Sequence, residues 1–124
     1  MICASCNSIN SDQNFKTGNI AYTVISNEKL RENIDKVDAV VYWRQDSDDA
    51  VIRVTHNNER KEGKFFIPNL TSGLTKLLKK SRMTIIMVMD EDMMPHRRTR
   101  TILNSLPSST NLYVSYFPKS AGLK

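Results

Sequence analysis

Carboxylates and guanidinium groups crowd into one short stretch, TIIMVMDEDMMPHRRTRTILNSLP, residues 84–107. Asp90 and Asp92 follow an unbroken apolar run. Side chains two apart on extended backbone point the same way, so these two carboxylates would be aimed together and repel. A divalent cation relieves such repulsion, and Mg²⁺ is typically held by one or two carboxylates together with substrate phosphates. Asp90 and Asp92 are therefore candidate metal ligands and catalytic acids, with Mg²⁺ as the implied cofactor. In the simpler reading no cofactor is needed: acids end a buried strand and favour the amino end of the next helix. Arg97, Arg98 and Arg100 come next, in the first turns of a helix, where cations oppose the macrodipole. Arg97 and Arg100 share a helix face. Such groups suit phosphates, whose binding would weaken steeply with salt. Alternatively Arg97 and Arg98 neutralise the three acids before them, each exposed pair contributing only ~0–1 kcal/mol.

Two further basic groups precede this one: Arg60, Lys61 and Lys64 in RKEGK, and Lys79, Lys80 and Arg82 in KKSR. The net charge of +5 is unevenly placed. Residues 1–59 hold six Lys/Arg against nine Asp/Glu, whereas residues 60–100 hold ten against four. That asymmetry implies a basic face able to meet phosphates or an acidic partner. Cys3 and Cys6 form CASC, which lacks the second knuckle of a zinc ribbon and sits in a polar leader, not at a strand-to-helix turn. His56 and His96 do not complete it at any known ligand spacing. No P-loop, GxGxxG, GxSxG or HExxH is present. The clustered Met87, Met89, Met93 and Met94 read as gap-filling core before adaptable surface.

The elements that must position these groups follow from periodicity. Residues 1–19 are rich in Asn, Ser and Asp without periodicity and read as a flexible leader. IAYTVI (20–25) is a strand with Ile20, Tyr22 and Val24 on one face. Ser26 or Asn27 caps a short helix whose stripe is Leu30, Ile34 and Val37. AVVYWR (39–44), AVIRVTH (50–56) and KFFIP (64–68) read as strands joined by the polar turns DSDD and NNERKEG. Leu70, Leu74, Leu77 and Leu78 mark a second helix. TIIMVM (84–89) is apolar enough for a strand covered on both faces. Pro95 suits the first turn of a third helix, with Ile102, Leu103 and Leu106 inward. LYVSYF (112–117) closes the domain and 119–124 is a tail. The expected fold is α/β with a mixed sheet, element order β-α-β-β-β-α-β-α-β, in a single domain over 20–118.

Over about 35 of the 124 residues, IIMVMDEDMM with the helix PHRRTRTILNSLP and the strand NLYVSYFP resembles the Toprim domain of primases and topoisomerases. That family has an apolar strand, Asp-x-Asp, a helix and another strand. The resemblance implies that Asp90 and Asp92 are the metal pair and that Glu28, after the first strand, is the remaining acid. The family's usual glycines close after each acidic motif are absent, and a hairpin over 39–68 replaces an expected helix.

Three functional expectations follow. The first is a small, non-enzymatic basic module contacting nucleic acid or a nucleic-acid-handling complex through Arg60, Lys61, Lys64, Lys79, Lys80, Arg82, Arg97, Arg98 and Arg100. The second is a Mg²⁺-dependent nuclease or nucleotidyl-transfer site on Glu28, Asp90 and Asp92. The third is a protein-interaction or sensory domain excised from a larger regulator that could be extracytoplasmic, signalled by a Cys3–Cys6 disulfide, an exposed apolar patch, or a dimer made by an edge strand such as KFFIP. No apolar stretch approaches the ~20 residues of a membrane span, so no membrane insertion is expected. A complete chain would be cytoplasmic, since it opens without a signal peptide; an excised fragment could be extracytoplasmic.

Overall fold

The computed structural model describes residues 13–17, 20–56, 59–79 and 82–118. Its elements are β1 (Gln13–Thr17), β2 (Ile20–Val24), α1 (Asn27–Asn33), β3 (Ala39–Trp43), β4 (Asp49–His56), β5 (Glu59–Phe66), α2 (Leu70–Leu78), β6 (Thr84–Met89), α3 (Arg97–Asn104) and β7 (Asn111–Tyr116). They form one seven-stranded mixed sheet in the order β1-β2-β7-β6-β3-β4-β5. The four inner strands β2, β7, β6 and β3 are parallel. The antiparallel partners β1 and β4–β5 flank them.

The expected mixed α/β fold is present, with two corrections of local structure. Within the leader, Gln13–Thr17 is a strand paired along its length with β2. Its sequence lacks apolar alternation because an edge strand can be held by backbone bonds alone. RKEGK is likewise not a turn. Residues 59–66 pair with 49–56 in continuous register, from Asp49↔Phe66 to His56↔Glu59. Charges on an edge strand leave no hydrophobic period to read.

Helices cover both faces, and the apolar stripes sort accordingly. The connection from β2 to β3 passes over β7 and β6, and on that face Leu30, Ile34 and Val37 pack with Val40, Ile86 and Val88. On the other face Leu70 and Leu74 of α2 and Ile102 and Leu103 of α3 pack with Val41, Ile52, Ile85 and Met87. β6 lies between parallel neighbours with Ile85 to Met89 all buried, as a strand covered on both sides requires. Met87, Met89 and Met93 are buried, so the methionine cluster fills core.

Phe65 ties β5 to the helix above it. A Cβ on Gly73 of α2 would lie 2.7 Å from its ring, and one on Gly63 would lie 2.8 Å away. Both positions need a residue without a side chain, because the ring fills the space between them. At the end of α2, Lys79 takes a left-handed conformation (φ 53°) and donates its backbone N–H to the Thr75 carbonyl. That closes the helix in the way a glycine more often does.

Candidate nucleic-acid interface

α2 and α3 form a single layer on one face of the sheet. They touch directly: the Thr71 hydroxyl donates to the Ser105 carbonyl at 3.1 Å, and the two hydroxyls lie 3.0 Å apart. Their inward residues belong to one apolar cluster, so their polar sides face outward together. The exposed cations sit at the helix ends remote from that contact: Lys76 in the last turn of α2 and Lys79 at its C-cap, and Arg97, Arg98 and Arg100 in the first turn of α3. Neither helix contains an acid. From Ile67 to the end of the chain the only acids are Asp90, Glu91 and Asp92.

Arg98 is fixed in place. Its guanidinium donates to Asp48 Oδ1 at 2.7 Å and lies 6.0 Å from the centre of the Trp43 ring. Asp48 belongs to the β3–β4 turn, which is secured by a bond from the Trp43 indole to the Ser47 carbonyl at 2.9 Å. Arg98 therefore finds its partner across the fold, not among the acids before it. α3 begins at Arg97 rather than at Pro95, with His96 as an N-cap that makes no side-chain bond. A 3₁₀ turn, Glu91–Met93, intervenes between β6 and the helix. Asp92 is consequently exposed on that turn and does not cap α3.

The other expected basic positions divide. Opposite Val54, Lys61 sits on the helical-layer side of β5. Lys64 is opposite Val51 and faces the other way. Arg60 is placed only as a register position opposite Thr55, and its side chain lies outside the described residues. Arg82 is exposed just before β6, at the opposite end of that strand from Asp90. Lys80 lies outside the described residues, as do Cys3, Cys6 and the tail. Lys76 was not anticipated, although the inward Leu70, Leu74 and Leu77 already imply an outward position 76.

The acids expected to bind metal take different positions. Asp90 leaves β6 on the α1 face, where its two oxygens are both engaged. Oδ1 pairs with Arg44 at 3.0 Å and Oδ2 accepts the Gln45 backbone N–H at 2.8 Å. The Arg44 guanidinium also covers the Phe117 ring, 4.1 Å from its centre. Asp90 thereby joins the carboxyl ends of β6 and β3. On β7, the Ser115 hydroxyl donates to Asn27 Oδ1 at the start of α1 at 3.0 Å. Arg44, Asp90 and Phe117 thus engage one another at the carboxyl ends of the parallel strands, the region where α/β sheets commonly bind ligands. Glu28 is exposed in the first turn of α1. Among the described residues no three His, Cys, Asp or Glu side chains are grouped to hold a metal ion, so Glu28, Asp90 and Asp92 do not gather as a triad.

At the end of β7, burial pushes the Tyr116 phenol up, with Tyr22 and Glu91 adding to the effect. Burial raises Tyr22 as well. Among the described residues no helix is long and apolar enough to cross a membrane. Compared with protein-family models, curated proteins and solved structures, the chain matches none of them.

Proposed function

We propose that this domain binds nucleic acid through the outer side of the α2–α3 layer and contacts phosphates rather than bases. One observation carries the reading: on the face of the sheet that α2 and α3 cover, the last turn and C-cap of α2 expose Lys76 and Lys79 and the first turn of α3 exposes Arg97, Arg98 and Arg100, with no acid on either helix. Phosphate backbones are matched by cations held on one surface, and Arg in particular can bond an oxygen pair. The amino end of α3, which has no side-chain cap, adds backbone N–H groups that also favour anions. No large aromatic residue of this layer is exposed; Phe66, the one exposed large hydrophobic among the described residues, belongs to β5. Base stacking, which relies on such rings, has no platform here. A nucleic-acid-handling complex with an acidic surface would use the same cations.

The test is fluorescence anisotropy of the whole chain with labelled duplex and single-stranded oligonucleotides of mixed sequence. About four phosphate contacts predict an affinity loss on the order of a hundredfold between ~50 and ~200 mM salt, with little dependence on sequence. Absent binding, or binding insensitive to salt, contradicts the reading.

A further inference from the structure

We propose that two copies of this chain associate through β5, pairing antiparallel about a two-fold axis at Gly63. Among the described residues β5 is an edge of the sheet, and no described strand lies beside the outer side of its backbone. It is eight residues long, contains no proline, and keeps unbroken register with β4. The usual devices that protect an edge include short strands, prolines, bulges and charges, especially lysines. Here only charge is present, and it alternates in sign: Lys61, Glu62 and Lys64 surround Gly63.

Symmetry narrows the register. Antiparallel copies of one strand are related by an axis normal to the sheet, and opposed residues must share a face. The axis therefore passes between a residue and its own mate, because a shift by one would oppose residues of different faces. With Lys61 on the axis, two lysines meet. With Glu62 there, two carboxylates meet and Arg60 falls opposite Lys64. With Lys64 there, two lysines meet again. Gly63 is the one central choice that opposes no like charges. It sets Glu62 against Lys64 of the second copy twice, and Lys61 against Phe65 twice, with residues 60–66 of each copy in register.

The side chains fit that arrangement. Glu62 and Lys64 lie on the same face, opposite Arg53 and Val51 of β4. Glu62 remains substantially exposed beside Arg53 (48%), so an oxygen is accessible to a second cation. Gly63 carries no side chain at the axis, its own surface being covered by the Phe65 ring. Phe66, 51% exposed, stands opposite residue 60 of the second copy and loses solvent on its edge side. An axis normal to the sheet also keeps both α2–α3 layers on one side of the joined sheet. The inference does not depend on what those layers bind.

Sedimentation velocity on the whole chain from about 1 to about 200 µM, the range in which micromolar dimers titrate, tests it. The expected result is a concentration-dependent monomer–dimer equilibrium. Glu62→Lys or Lys64→Glu alone creates two like-charge pairs and weakens dimerisation by roughly tenfold or more, and the double exchange restores it. Thermal melts confirm that each variant is folded. A monomer over the whole range overturns the proposal. So does a dimer unaffected by the single changes, or a double exchange that fails to recover while remaining folded.

Discussion

Asp90 is held by a charged partner and by a backbone amide at once, with its carboxylate about one-fifth exposed. An exposed ion pair alone contributes little. The bond from the Gln45 N–H matters more, because a hydrogen bond to a charged acceptor contributes more than an exposed ion pair. Asp90→Ala should therefore lower stability by about 1–2 kcal/mol in urea unfolding, and Asp90→Asn by less, since the amide oxygen can still accept. A phosphate-binding assay should show little change for either variant. Gly73 supplies a second test. In an exposed helix alanine would improve stability by about 1 kcal/mol. Here the added Cβ meets the Phe65 ring at 2.7 Å, so Gly73→Ala should instead destabilise by about 1–3 kcal/mol. Combining it with Phe65→Leu should recover part of the loss. The raised Tyr22 and Tyr116 phenols give a pH effect of definite sign. A folded-state value above 10.0 means stability that is complete below the unfolded value and lost as pH rises through the folded one. Absorbance titration of native protein should show phenols ionising above 10.0 that return to the ordinary value in denaturant.

Elements with an apolar stripe are legible in the sequence, and those without one are not. Leu70, Leu74, Leu77 and Leu78 announce α2, and the unbroken run in β6 announces a strand with both faces covered. β1 and the first half of β5 carry no such signal. Both are held by the neighbouring strand, β1 by β2 and β5 by β4, and a pairing partner is not visible in a strand's own residues. The start of α3 differs from the expected position for a related reason. Pro95 fits a helix start, yet the chain first makes a 3₁₀ turn in which the Asp90 N–H donates to the Met93 sulfur at 3.3 Å. That turn carries Asp92 away from the helix end and leaves the first α3 residues, Arg97 and Arg98, at an amino end without a side-chain cap.

At the level of the whole molecule, the two faces of the sheet have different characters. One is closed by α2 and α3, whose outer side is wholly cationic among its charged groups. On the other, α1 covers the inner strands, while none of the described side chains of β4 and β5 on that side is buried. Sequence order alone could not reveal this, because it depends on β7 inserting between β2 and β6. The same insertion brings Ser115 of β7 to Asn27 at 3.0 Å and Phe117 beneath the Arg44 guanidinium. Of the acids that invite a catalytic reading, Asp90 is thus engaged at the carboxyl ends of the inner strands and Asp92 is exposed, while the cations of α2 and α3 lie on the other face. Pairing through β5 would set two such helical layers on one side of a longer sheet and strengthen binding to a long nucleic acid by linking two sites.

The most direct measurement is the salt dependence of oligonucleotide binding for the wild-type chain and for the Arg97→Gln/Arg100→Gln variant. If both arginines contact phosphates, the slope of log K against log salt should become shallower by about 1.8 on duplex, with no change in fold by circular dichroism. An unchanged slope in a folded variant would contradict the assignment of the α2–α3 layer as the nucleic-acid interface.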